Sequence, residues 1–275
     1  MKKSTISIAF LALFSLLKTS STQAQKFYAG VHSSYHFGMG GVMNGYFSAT
    51  SSSLSATITD EKVNFGKGIQ AGINIGYFIN KNIGLELTFS KALKQKMEME
   101  NQIRPSWNGT YSEKIGFSTS STIFSPAIVV KTNHEKLNVY SKLGLMILKS
   151  KQQNTYYENN NTFITNKEFD LEGISGIGFR AGIGTSIKLS KLVELQFELN
   201  TSNITAKPKR EILTKNMENG VNLLPIMTVQ DKETDFVDEY TITATPAPTN
   251  VPNKSLNVYL PYNTLGIQIG LVFKF

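Results

Sequence analysis

The chain has 275 residues, no cysteine and a formal net charge of +8. The lack of cysteine excludes a disulfide framework, a cysteine-ligated metal and a lipid attached through cysteine. The basic residues are scattered rather than gathered into a stripe, so we predict no nucleic-acid partner.

The N-terminus has the pattern of a secretory signal peptide. A basic start precedes an apolar run over residues 6–17, and a small-residue cleavage site ends at Ala24. The run is shorter than the roughly 20 apolar residues that a membrane-spanning helix needs. We therefore predict that residues 1–24 are removed during export and that residues 25–275 form one domain.

The rest of the chain consists of segments in which apolar residues alternate with small or polar ones. This period of two predicts β-strands, and no segment has helical periodicity. The fourth segment alternates weakly and contains Pro126, a residue that is unusual inside a strand. The eight predicted strands cover residues 27–37, 68–79, 83–90, 117–131, 137–147, 173–189, 193–200 and 256–275.

Short and long connections alternate strictly between these segments. The short ones have hairpin length. The long polar ones cover residues 38–64, 92–116, 149–172 and 203–255. All long connections therefore fall at one end of the sheet, as in transmembrane β-barrels. The longest could add a hairpin to make ten membrane strands or extend two strands above the membrane, and its lack of a clean apolar face favours the second.

One face of the strands is bulky and apolar, and the other carries many glycines. A soluble barrel of the lipocalin type would turn its apolar face inward. Glycine weakens a strand that faces water, whereas a narrow barrel has little room for large side chains. We therefore place the bulky face against lipid and the following glycines inside: Gly68, Gly72, Gly76, Gly84, Gly176, Gly178, Gly182, Gly184, Gly266 and Gly270.

These patterns predict an all-β fold, a transmembrane antiparallel up-and-down β-barrel of eight strands with long extracellular loops. In lipid every backbone polar group needs an internal partner, so the sheet must close and its first and last strands must pair. The terminal Phe275 then belongs to the sheet.

The last residues carry a further signal. Gln268, Gly270, Phe273 and the terminal Phe275 follow the order polar, glycine, hydrophobic, aromatic, which resembles the assembly signal of Gram-negative outer-membrane barrels. With the signal peptide and the strand plan, the chain resembles the small outer-membrane β-barrel family of the OmpA or OmpX type. The resemblance implies an outer-membrane monomer that contacts lipid and is recognised by the barrel-assembly machinery. The match departs from the larger two-domain members of the family, so we expect no peptidoglycan-binding domain.

Charged residues on the inward face are the candidate site. They would either line a selective pore or form a compensated ion network that fills the narrow barrel, and we favour the network. A three-residue turn over 190–192 would place Lys188 opposite Glu194 as an ion pair. The six candidates are Glu86, Lys142, Arg180, Lys188, Glu194 and Glu198.

Two histidines point inward on the first strand. His32 and His36 lie about 13 Å apart, too far to bind one metal directly, so we predict neither a metal site nor a cofactor. Ser34 and His36 could serve a barrel enzyme, but the sequence offers no acid partner for them. We therefore expect no catalysis.

The long loops are the remaining candidates for function. Their exposed aromatic residues among Asn and Ser suit recognition of an extracellular protein or glycan, although the loops could simply shield the barrel. The sequence thus predicts a structural, surface-recognition or adhesion role. A narrow solute or ion channel is the main alternative, and a lipid-modifying barrel enzyme is a weaker one.

Overall fold

A computed structural model describes residues 26–40, 47–51, 56–60, 63–103, 111–160, 162–241 and 248–275. The predicted signal peptide and part of the first long loop lie outside these ranges. Among the described residues, no helix is long and apolar enough to cross a membrane.

The described chain is almost entirely β-structure. The only helical elements within it are a short 3₁₀ turn, Leu224–Ile226, and α1, Val229–Lys232. Strands β1 to β16 are, in chain order, Phe27–Gly38, Phe47–Ser51, Ala56–Asp60, Gly68–Phe78, Ile83–Ala92, Gln95–Ile103, Tyr111–Lys131, Leu137–Asn159, Ile164–Lys188, Val193–Lys207, Arg210–Glu218, Val221–Asn222, Glu233–Val237, Asn253–Leu256, Leu260–Pro261 and Thr264–Lys274.

Eight strands close into a ring in the order β1, β4, β5, β7, β8, β9, β10 and β16, and every neighbouring pair is antiparallel. β16 returns to β1, with Tyr28 opposite Lys274. The backbone N–H of Phe275 donates to the carbonyl of Phe27 at 2.9 Å. The predicted eight-stranded barrel, with its first and last strands paired, is confirmed.

The two ends of the barrel differ as predicted. At one end, the turn end, short turns join β4 to β5, β7 to β8 and β9 to β10. At the opposite, loop end, the connections are long, and much of their length is β-sheet rather than irregular loop. β6 continues β5 along the edge of β7, and β8 and β9 stay paired until Asn159 meets Ile164.

The connection over residues 203–255 adds strands above the ring rather than to it. β11 pairs with the part of β9 that extends beyond the ring, and Arg210 lies opposite Glu172. β13 pairs with β11, and β14 pairs with β13. The preferred prediction for this segment, strands extended above the membrane, therefore agrees with the structure.

The outer surface of the ring is an apolar band. Along β5 the side chains alternate between exposed and buried, with Leu87 and Phe89 outside and Glu86 and Thr88 inside. The same inversion of an ordinary globular pattern holds along β9, where Ile177 is 73% exposed. The predicted assignment of the bulky face to the outside is confirmed.

Inward glycines make room for two buried tyrosines. Gly76 lies opposite Tyr28, and a Cβ on Gly76 would collide with the Tyr28 ring. Gly184 lies opposite Tyr140, and a Cβ there would come within 2.5 Å of the Tyr140 ring. Close packing of this kind explains why glycines line the interior of so narrow a barrel.

We predict that Gly76→Val destabilises the barrel by about 1–3 kcal/mol, because the added carbons overpack against Tyr28. Urea unfolding in lipid vesicles measures the effect. Ala71→Val, on the outer face of the same strand, is the matched control and should leave the midpoint nearly unchanged. Equal midpoints for the two variants would contradict the assigned packing.

Candidate functional site

Four of the six predicted charged residues meet in the middle of the lumen. The Lys142 ammonium lies between two carboxylates, 2.8 Å from Glu86 Oε1 and 3.1 Å from Glu198 Oε2. Arg180 Nη2 lies 3.3 Å from Glu198 Oε1. Two acids and two bases therefore form one compensated cluster, which we call the central ion cluster.

Neutral side chains complete the hydrogen bonds of this cluster. The Tyr28 hydroxyl and the Asn74 amide both donate to Glu86 Oε2 at 2.9 Å. The Tyr140 hydroxyl donates to Glu198 Oε2 at 3.2 Å. Buried charges persist only when paired and hydrogen-bonded, and these carboxylates meet both conditions.

The central ion cluster has a repeated frame. Across three adjacent strands, Tyr28, Gly76 and Glu86 stand side by side in one row. On the opposite wall, Tyr140, Gly184 and Glu198 form an equivalent row across β8, β9 and β10. Lys142 bridges the carboxylates of the two rows.

The other two predicted charges lie nearer the turn end. Lys188 is opposite Glu194, so the predicted register is confirmed. The predicted ion pair between them is wrong, because Lys131 at 2.5 Å and Lys274 bind the Glu194 carboxylate. Lys188 is half-exposed and instead donates to the carbonyl of His134 at 2.9 Å.

The inward histidines bind hydroxyl groups. His32 Nε2 is 3.0 Å from Ser90 Oγ. His36 contacts Ser34 Oγ at 2.9 Å through one ring nitrogen and Thr264 Oγ1 at 3.1 Å through the other. Among the described residues, no three or more His, Asp or Glu side chains are grouped so that they could hold a metal ion.

Of the four residues that resemble an assembly signal, two face the lumen and two lie on the outer face. Gln268 points inward and accepts a hydrogen bond from Arg180 Nη2 at 2.8 Å, and Gly270 packs beside His32. Phe273 and Phe275 are exposed on the outer face.

Little space remains around the central ion cluster. The cavity beside it has a volume of about 10 Å³, enough for about one water molecule. Its lining includes His32, Asn74 and Lys142. The lumen at this level is therefore packed with side chains.

An apolar cluster, which we call the plug, closes the lumen at the loop end. Inward residues of β8 and β10 change from polar to apolar toward this end. The segments 63–65, before β4, and 260–262, before β16, pack against them. Burial raises the pKa of the Tyr262 phenol to about 12. The plug consists of Val63, Phe65, Phe117, Ile123, Met146, Leu148, Leu171, Ile174, Ile204, Ala206, Leu260 and Tyr262.

Sequence reasoning missed the plug and both lysines that bind Glu194. The run Leu145-Met146-Ile147-Leu148 held a signal, because consecutive apolar residues make both strand faces apolar. Lys131 ends the strand with the weakest alternation, which hid its inward orientation.

We predict that Lys142→Met destabilises the protein by about 3–5 kcal/mol, because it leaves two buried carboxylates without their shared cation. Lys207→Met is the control, since its ion pair with Asp238 is exposed to solvent and contributes little to stability. Unfolding midpoints in vesicles would test this. Similar losses for both variants would show that the cluster contributes no more than a surface pair.

A second candidate site is the far tip of the loop-end sheet. From the last outward apolar residue of β8, Ile147, to Asn159, the strand runs about 40 Å. Four exposed apolar residues lie at or beside this tip: Phe163 (47% exposed), Ile164 (47%), Val221 (60%) and Ile226 (80%).

Two turns are hydrogen-bonded to each other at the tip: the turn between β8 and β9, and residues 219–220, between β11 and β12. Asn219 and Gly220 both have positive φ, 46° and 83°, the geometry of a tight hairpin turn. The Ile164 N–H donates to the Asn219 side chain, and the Asn219 N–H donates to the Ile164 carbonyl, both at 2.8 Å. These bonds fix the backbone that carries the exposed apolar side chains.

Residues 6–223 match the family described as outer membrane protein beta-barrel domain. No curated protein sequence matches the chain.

Two solved structures align along most of the chain. Neisserial surface protein A (NspA) has 13% identity and a TM-score of 0.33, covering 90% of this chain and 97% of its own. Ail, the attachment invasion locus protein of Yersinia pestis, has 10% identity and a TM-score of 0.30, covering 91% and 97%. Similarity at this level carries no inference about function.

Proposed function

Because the chain belongs to the outer membrane protein beta-barrel domain family, we propose that it acts as a surface protein that recognises an extracellular protein through the tip of its extracellular sheet. The outer membrane is its location. In barrels of this kind the longer loops are extracellular, so the loop end and its tip face outward.

The exposed apolar tip is the observation that carries this proposal. Phe163, Ile164 and Val221 expose apolar side chains to water, far from the lipid. Exposed apolar patches of this kind mark sites of protein interaction. The bonds between Asn219 and Ile164 hold this surface in one conformation, which lowers the entropic cost of binding. Three of the four exposed tip residues are aliphatic and offer no hydrogen bonds to a sugar, so a protein partner fits better than a glycan.

Packing of the lumen supports a role outside transport. The central ion cluster fills the middle of the barrel, and the plug covers its extracellular mouth. A solute would have to displace paired charges and then apolar side chains.

The environment of Ser34 and His36 supports a function without catalysis. A hydrolytic triad needs an acid to orient its histidine, and the second ring nitrogen of His36 contacts the Thr264 hydroxyl instead. Both residues are buried inside the barrel, away from the tip.

Export with removal of residues 1–24 is part of the same proposal. So is recognition by the barrel-assembly machinery of the positions that match its signal, Gln268, Gly270, Phe273 and Phe275. The barrel then works as a monomer surrounded by outer-membrane lipid.

We predict that Phe163→Ser, Ile164→Ser and Val221→Ser together weaken binding to the protein partner at least about tenfold, because central apolar contacts carry most of the binding energy. Cells that display the protein would be tested on panels of extracellular proteins and on a glycan array.

The matched control replaces three exposed apolar residues elsewhere on the extracellular side, Val251, Leu256 and Tyr259, with serine. This variant should bind like the original protein. Equal loss in both variants, or binding to glycans alone, would contradict recognition of a protein by the tip.

We also predict that the reconstituted barrel gives no stable single-channel steps in planar bilayers. Because the chain lacks cysteine, a Lys81→Cys variant can carry one fluorescent label on an exposed turn and report insertion. Stable steps from inserted protein would favour the narrow channel over surface recognition.

A further inference from the structure

The outer wall formed by β5, β7 and β8 changes character abruptly at the extracellular edge of the apolar band. Phe89, Phe124 and Ile147 form the last row in which all three strands carry an apolar side chain. Beyond it, Leu93 just past the end of β5 is also exposed and apolar. Two positions beyond that last row on each strand, the next outward row is Lys91, Thr122 and Lys149. Charge therefore begins in the row directly above the apolar surface.

In this row two lysines lie on either side of a threonine. Lys91 and Lys149 flank the central strand at two strand spacings, roughly 9–10 Å between their backbones. The Thr122 hydroxyl lies between them, and the next outward pair adds Ser120 beside Lys151. Long flexible lysine side chains can converge over the hydroxyls from both sides.

These lysines have unused charge. Lys91, Lys149 and Lys151 are exposed, and none forms an ion pair within the part of the chain that the structure describes. The row neighbours of Lys91 and Lys149 on β4 and β9 are Ala71 and Ser175, which carry no charge. The nearest carboxylate by register is Glu172, which lies at the β9 bulge opposite Lys151 and stands opposite Arg210 of β11. Lys207, by contrast, is already paired with Asp238 at 3.0 Å.

The position of the row indicates where a ligand would come from. Lysines at the edge of a lipid-facing surface lay their carbon chains along the apolar band and raise the ammonium to the level of the headgroups. An anionic group fixed at that level meets two ammonium groups and a hydroxyl together. A dissolved anion would lack the acyl chains that bury against Phe89 and Phe124.

We propose that Lys91, Thr122 and Lys149 form a binding site for the phosphate of a lipid headgroup in the outer leaflet. The two ammonium groups supply the charge, the threonine hydroxyl donates a hydrogen bond, and the apolar row below holds the acyl chains. The site is separate from the tip and does not depend on the proposed recognition role.

The test titrates the folded full-length barrel, in non-ionic detergent, with phosphatidic acid and measures bound lipid by native mass spectrometry. We expect Lys91→Gln with Lys149→Gln to weaken binding about thirtyfold, since each lysine near an anionic lipid surface contributes severalfold in affinity. Thr122→Val should weaken binding less. Diacylglycerol, which has the same chains without phosphate, should not compete.

The control is Lys81→Gln with Lys191→Gln, which removes the same charge from exposed turns at the other end of the barrel. It should change affinity less than about twofold if the site is local. Equal losses in the two double variants would overturn the proposal in favour of general attraction. So would competition by diacylglycerol, or displacement of the lipid by inorganic phosphate, which would indicate a site for the free anion.

Discussion

A sheet surrounded by lipid cannot leave backbone polar groups unpaired, and closure of β16 on β1 meets this requirement. The other features of the barrel follow from that closure. Eight strands leave an interior only wide enough for side chains, so large residues there must face small ones. The two rows of tyrosine, glycine and glutamate satisfy this limit and deliver the carboxylates that Lys142 joins.

The interior of the barrel differs between the membrane level and the loop end. Through the middle of the band the interior is polar and the exterior apolar, whereas at the level of the last apolar row the interior becomes the apolar plug. The extended strands therefore have a core of their own. That core supports the extracellular sheet, and the mutual bonds of Asn219 and Ile164 complete its far end.

Much of the barrel could be predicted because lipid imposes a strict period of two on the strands that it touches. The alternation around Glu86 and Glu198 located both residues inside, and a three-residue turn fixed Lys188 opposite Glu194. The partners of Glu194 could not be found, because which lysine reaches a carboxylate depends on strands distant in sequence. The extended strands above the membrane were harder to predict, since no lipid enforces an apolar face on residues such as Gln153 or Thr155. The tip likewise depended on contacts between two distant turns.

On β8 the outward side chain changes from apolar Ile147 to charged Lys149, beside the inward plug residues Met146 and Leu148. Below this point the strand is built for hydrocarbon, and above it for water. This change marks, within the strand, the extracellular edge of the hydrocarbon layer. Adding or deleting two residues in every strand below it would retain the alternation and the register, yet would fit the barrel to a bilayer of different thickness.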